Sequence, residues 1–316
     1  IRQHDSKHSS LLPWSRVAQY PFPVAGSIVQ SNRQMQRFLL QGGPMDYSIT
    51  QAIENHQFVP VDEWPTLEQM ADGFAEHKYP RTSVLAGVRE VFRFDNGWLI
   101  EHHFVDENTL SWKLLEGEGA GASGTHTYEA MEIRPGVVFV EFFKDGFDES
   151  VTLVWKLESG NLFAAVSGFV DRNGEKRTTT AYQTATVDGK PGDAPIRQSS
   201  SLVGKRVLYR YSSDDWYEHV YFGREVMAWH CVNGAEVGVA DVEKCAYFDV
   251  APDLHILFWT ETIMPVESIV VIDLQRMRST GRFFCWDPKP NRMVHLTFGS
   301  KATVLNDTAY PTTFAE

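Results

Sequence analysis

Tyr217, His219 and Tyr221 alternate along the segment WYEHVYF, so in an extended strand, whose side chains point to opposite faces with a period of two, they share one face. A histidine between two phenols on a concave apolar wall can act as a general acid or base, with the phenols orienting a substrate oxygen or stabilising an enolate. Trp216, Glu218, Val220 and Phe222 share the opposite face, and alternation alone does not say which face points inward. Tyr209 and Tyr211 alternate in the same way in VLYRY, and nearby segments add Trp229, His230, Asp241, Trp259, Glu261, Arg276 and Arg282. An inward arginine is costly unless paired, so Arg282 inside a barrel implies an anionic partner, either a carboxylate side chain or a ligand. Upstream, WLIEHHF carries Glu101, His102 and His103, and Glu141 lies between Val140 and Phe142. A carboxyl held among apolar neighbours has a raised pKa and can serve as an acid, although a solvent-facing strand position fits the same alternation. His102 and His103 must diverge as consecutive strand residues, which argues against a shared metal site.

The elements that position these residues come in two copies. Setting LAGVREVFRF (85–94) over LVGKRVLYRY (202–211) aligns Phe92 with Tyr209 at a displacement of 209 − 92 = 117, and the same displacement sets Trp112 on Trp229 and Phe142 on Trp259. A repeat of this length points to two β-rich modules. Each copy contains eight strand-length runs separated by Asn, Gly, Asp and Pro, from REVFRF to TTTAYQTATV and from RVLYRY to RMVHLTF. Eight short antiparallel strands can close into an up-and-down barrel, with an interior about wide enough for side chains and one small ligand. The polar and aromatic residues at inward positions favour the barrel over a sandwich with a dry aliphatic core. The expected fold is therefore all-β, two consecutive antiparallel barrels.

The expected domains are an N-terminal extension over 1–82, a first barrel over 83–187, a linker over 188–201 (DGKPGDAPIRQSSS) and a second barrel over 202–316. In the extension, Ser31 to Gln41 can form a short helix. A clearer helix starts after Thr66, where Gln69 completes a capping box and Leu67, Met70 and Phe74 share one face. It has no counterpart before the second copy, so its expected place is on the first barrel, as packing or lid.

Bulk composition excludes several classes. The net charge is −12 with no Lys/Arg run, which disfavours nucleic acid and anionic membranes as partners. The first residues, IRQHDSKHSS, lack the apolar core of a secretory signal. Three cysteines without CxxC spacing fit free thiols in a reducing compartment, hence a cytoplasmic expectation, and give no zinc site. GxGxxG after a strand, GxxxxGK[ST], HExxH and GxSxG are all missing, so the expected chemistry needs only binding, orientation and proton transfer, with neither cofactor nor metal.

The second copy, with GKRVLYRY, YEHVY, AWHCVNG, GVADVEKC, VVIDLQRM and the STG turn, resembles the C-terminal domain of the MoaF family. The first copy and the helix before it are similar to that family's N-terminal domain, through LAGVREVFRF and TLSWKLLEGEG. The resemblance implies a pair of lipocalin-like (calycin-like) barrels. The family name refers to molybdenum cofactor biosynthesis, but no segment resembles a molybdopterin or nucleotide site. Similar double barrels perform cofactor-free hydration, isomerisation and cyclisation, including Diels-Alder reactions, on apolar metabolites, an analogy at fold level only. The expected function is a cofactor-independent lyase or isomerase of secondary metabolism acting on a polyketide- or terpenoid-like molecule, the alternative being a non-catalytic carrier or sensor. The catalytic candidates are His219, Tyr217, Tyr221 and Glu141. The substrate-binding candidates are Tyr209, Tyr211, Trp229, His230, Trp259, Arg282, Trp112 and His102. The expected partner is a hydrophobic small molecule, with a homodimer left open.

Overall fold

The computed structural model describes residues 65–190, 192–262 and 264–309. The helix expected over Ser31–Gln41 lies outside the described residues. Strands β1 (Arg89–Phe94), β2 (Leu99–Phe104), β3 (Thr109–Glu116), β4 (Ser123–Arg134), β5 (Val137–Lys144), β6 (Glu149–Lys156), β7 (Asn161–Arg172) and β8 (Glu175–Val187) form an antiparallel meander. It closes as β8 returns to β1, pairing Phe92 with Val187 and Phe94 with Ala185.

The second half repeats the plan with β10 (Lys205–Arg210), β11 (Trp216–Gly223), β12 (Val226–Asn233), β13 (Ala240–Ala251), β14 (Leu254–Thr260), β15 (Val266–Asp273), β16 (Arg278–Asp287) and β17 (Arg292–Asp307). Here β17 pairs with β10 and β12 with β13, so the eight strands also close. Strands β12, β13, β14 and β15 each begin 117 residues after β3, β4, β5 and β6, so the sequence repeat is a structural repeat. Even the linker takes part: β9 (Arg197–Gln198) pairs Gln198 with Phe248, as the isolated bridge of Arg81 to Met131 does in the first half.

Alternation sorts the side chains. Phe92, Phe104, Trp112, Tyr128 and Trp155 fill the first barrel, and Tyr209, Tyr211, Tyr221, Trp229 and Trp259 the second. A third apolar cluster lies between the barrels, where Met131, Phe139, Val154 and Phe163 on the outside of β4–β7 meet Phe248, Val250, Ile256 and Val271 on the outside of β13–β15. Outer strand faces that water would otherwise wet are thereby buried, at roughly 25 cal/mol of stabilisation per Å² of apolar surface.

The helix after Thr66 forms with its capping box complete, but it spans only α1 (Leu67–Met70), followed by turns. Gly73, at φ +85°, breaks the helical course and lets Phe74 turn down. Phe74 then stacks on Tyr211 of the second barrel, with ring centroids 4.5 Å apart. The helix and Phe74 therefore serve the second barrel, not the first as expected, while the stretch after them does reach the first, through Lys78 with Glu129 and Arg81 with the Tyr128 carbonyl. The chain path is also tied to the second barrel: a Cβ on Gly299 of β17 would lie 2.5 Å from Lys78 Cα, so the strand must be bare where the segment crosses it. The pattern of Leu67, Met70 and Phe74 marks an apolar face without naming the surface that covers it.

Candidate functional site

One end of the second barrel, where the hairpins β10–β11, β12–β13 and β14–β15 turn, holds a small open hollow with about 50 Å³ of free space. Its walls are Tyr211, Tyr217, Trp229, Trp259 and Phe283, His219 lies at its inner end, and Phe74 covers it. Two carboxylates, Glu236 from the β12–β13 turn and Glu261 just past β14, also line it. An adjoining hollow with about 60 Å³ of free space shares Phe74, Glu236, Glu261 and Phe283 and runs under α1.

The Tyr/His/Tyr face of β11 is the inward one. Tyr217 donates its hydroxyl proton to Glu236 Oε2 at 2.6 Å, Tyr221 and Tyr209 share a hydroxyl contact of 2.7 Å, and His219 Nδ1 lies 3.4 Å from the Tyr221 hydroxyl. Glu218 points out and pairs with Arg206. Trp229 Nε1, Trp259 Nε1 and Glu236 Oε1 are buried without a hydrogen-bond partner, so the hollow offers a guest indole donors and a carboxyl acceptor.

Burial sets the charge states. Desolvation pushes Glu261 well above the usual carboxylate range, Glu236 and Glu243 add to this, and the Trp259 side chain offsets only part of it. Glu236 is raised by burial as well, partly countered by the Tyr217 hydrogen bond. Two half-buried carboxyls facing one ring-walled hollow thus both have their proton affinity raised. Desolvation moves His219 the other way, down to about 3, which keeps the imidazole neutral and a weak base near pH 7. The phenols of Tyr209, Tyr211, Tyr217 and Tyr221 are all pushed up, chiefly by burial.

The first barrel has a comparable hollow with about 60 Å³ of free space, lined by Trp112, His102, Phe142, Lys144 and Glu149 among others. Of the adjacent histidines, His102 faces in and His103 faces out beside Arg89. Burial lowers His102 to about 4. Both histidines predict the same pH response. Each folded pKa lies below the ordinary 6.5, so the unfolded chain binds more protons in acid, and stability present above pH 6.5 is lost as pH falls through about 4 and then about 3. A tenfold change in proton affinity between the folded and unfolded chain corresponds to about 1.4 kcal/mol. Urea unfolding from pH 7.5 to 4 is expected to show this loss, with a shallower slope in His102→Phe and His219→Phe; an unchanged slope in both would assign the acid limb to other groups.

Five candidates line neither hollow: Tyr209 and Tyr221 are buried deeper in the second barrel, and the other three point out of the barrels. His230 follows inward Trp229 on β12 and is exposed, as alternation requires. Glu141 and Arg282 point out of their own barrels into the seam between them, where Arg282 Nη2 meets Glu267 Oε1 at 2.7 Å and Arg282 Nε lies 3.7 Å from Glu141 Oε1. Thr152 donates to Glu141 at 2.5 Å, Ser150 donates to it as well, and His295 Nε2 lies 2.9 Å from it. The anionic partner demanded by Arg282 is therefore protein, and Glu141 is an ion-pair member, not a pocket acid. Glu101 pairs with Arg89, and Arg276 binds the Ile133 carbonyl across the seam.

Sequence reasoning does not place Glu236, Phe74, Lys144 or Glu149 in a pocket. Lys144 has a readable signal, since the 117-residue displacement sets it on Glu261 and also sets His102 on His219. Glu236, in a polar turn (NGAEVG), has none.

Comparison with known proteins agrees with this two-copy geometry. Residues 62–171 match the model of the MoaF N-terminal domain, and residues 196–308 match that of the MoaF C-terminal domain. Protein MoaF of Klebsiella aerogenes is 31% identical over 258 residues, covering 76% of this chain and 95% of its own length. A crystal structure of a candidate β-lactamase from Burkholderia vietnamiensis aligns over 34% of this chain and 99% of its own, with 16% identity and a TM-score of 0.29. Among the described residues, no helix is long and apolar enough to cross a membrane. With both domains matched in order and a relative aligned over nearly all of its length, the chain belongs to the MoaF family.

Proposed function

We propose that the chain is a cofactor-independent enzyme of lyase or isomerase type, which encloses a hydrophobic small molecule at the mouth of the second barrel and moves a proton on it. The reading rests on one observation: two carboxyls with raised proton affinity, Glu261 and Glu236, share a ring-walled hollow with Tyr217. Glu261, carrying its proton, gives it to an oxygen or alkene carbon of the guest. Glu236, oriented by the Tyr217 hydroxyl, takes a proton from another atom, so an isomerisation needs no co-reactant. The aromatic walls hold an apolar body of polyketide or terpenoid kind, and Phe74 keeps water out. His219 serves as a neutral hydrogen-bonding group at the inner end.

Incubation of the full chain with candidate polyketide and terpenoid intermediates, without added cofactor, tests this by chromatography of the products. Conversion that is lost in Tyr217→Phe is expected. Binding of those intermediates without conversion would favour the second reading, a carrier. That reading draws on the deep interior, where Tyr209, Tyr221 and Tyr247 occupy the space themselves and leave only the mouth for a guest.

A further inference from the structure

The two barrels keep the same pocket in the same place but have exchanged its polarity. At the 117-residue displacement, His102 corresponds to His219, Trp112 to Trp229 and Phe142 to Trp259, while Lys144 stands where the second copy has Glu261 and Val166 where it has Phe283. The free space in the two hollows is similar and small, about 60 Å³ in the first and about 50 Å³ in the second, and both open to solvent. The deeper wall of the first hollow is aliphatic, through Ile100, Leu114, Leu153 and Ala164.

Its polar groups are few and placed for a guest. Lys144 Nζ bonds Glu149 Oε2 at 2.5 Å, and both side chains are nearly buried, so the charges cancel at the hollow's edge. The ammonium also sits 5.1 Å from the centre of the Trp112 ring and 4.7 Å from that of Phe147, which holds it in place. Trp112 Nε1, on a side chain 8% exposed, and His102 Nδ1, on one 5% exposed, have no hydrogen-bond partner. The strand beside the indole must be bare, because a Cβ on Gly124 would lie 2.9 Å from Trp112 Nε1 and 2.6 Å from His126 Nε2. A buried N–H left unpaired costs about 1–3 kcal/mol, which a ligand oxygen would recover.

We infer that the first barrel is a second, independent binding site, for an uncharged and mainly apolar molecule with one accepting oxygen, a carbonyl or hydroxyl, placed against Trp112 Nε1 and Lys144 Nζ. A charged guest is disfavoured because the Lys144–Glu149 pair leaves no net charge to balance it. The site does not depend on the chemistry proposed for the second barrel, whose carboxyls have no counterpart here.

The neutral ketone dye 6-propionyl-2-(dimethylamino)naphthalene is the probe, titrated into the full chain and followed by its emission. Saturable binding with a blue shift is expected, with the anionic dye 8-anilinonaphthalene-1-sulfonate at least tenfold weaker. Trp112→Phe, which keeps the ring and removes the N–H, is expected to weaken the ketone dye by about tenfold. The matching Trp229→Phe in the second barrel is expected to leave it unchanged. Val166→Phe, which installs the residue that the second copy already carries, is expected to block the site, and Ala164→Leu repeats the test if that variant fails a near-ultraviolet circular dichroism check of folding. No saturable binding, binding untouched by the blocking variants, or a loss confined to Trp229→Phe would each overturn the inference.

Discussion

Replacing Glu261 with glutamine is expected to lower turnover by about 10²–10⁴-fold, the usual contribution of a positioned general acid, while the Michaelis constant changes little. Glutamine keeps the shape and neutrality of the protonated carboxyl but has no proton to give. The same substitution carries a stability signature that needs no substrate. Because burial raises the folded pKa of Glu261 above its ordinary 4.5, the folded chain holds a proton that the unfolded chain has released, so stability falls as pH rises from about 4.5 through the folded value. Glu261→Gln removes that loss and is expected to gain on the parent progressively as pH rises, read from urea midpoints at pH 5, 7 and 9. A parallel pH course in both proteins would show that Glu261 ionises normally, and the acid role would go with it.

Arg282→Met is expected to destabilise the fold by about 3–5 kcal/mol, the typical result of leaving buried carboxylates without their cation. Arg282 is fully buried in the seam, with Glu267 fully buried beside it and Glu141 nearly so. It also donates to Ser167 at 2.6 Å and Thr152 at 3.1 Å, both from the first barrel, so a residue of β16 organises hydroxyls of β6 and β7. Replacing the whole group (Arg282→Met, Glu267→Gln and Glu141→Gln) is expected to recover most of the loss, since the desolvation of all the charges disappears together. Chemical denaturation of the single and triple variants checks both statements. A single variant within about 1 kcal/mol of the parent would mean that water reaches the seam and screens the pair.

A second link across the seam has the same form. Arg134 of β4 binds Asp273 of β15 with both of its forks, at 2.7 and 2.8 Å, beside the apolar contact of Phe163 with Phe248. Burial alone would raise Asp273, but the hydrogen bonds from Arg134 and from the Arg276 backbone outweigh it and hold the carboxyl low. Geometric specificity of this kind fixes how two similar barrels meet, where an apolar surface alone would allow sliding.

The chain by itself determined the repeat, the sixteen strands of the two barrels and their alternation, because a period of two is a local property of extended backbone. That was enough to set Tyr217, His219 and Tyr221 on one face, but the folded barrels were needed to show that this face, like Trp112, Trp229 and Trp259, points inward. Tertiary structure alone decided what each outer face meets. Glu141, Arg282 and His230 all follow the same alternation, yet two are buried between barrels and one is in water, since burial outside a barrel depends on a neighbour remote in sequence. Phe74 crossed to the second barrel for the same reason: an amphipathic pattern specifies that a face be covered, while the covering surface is chosen by where the folded chain brings it.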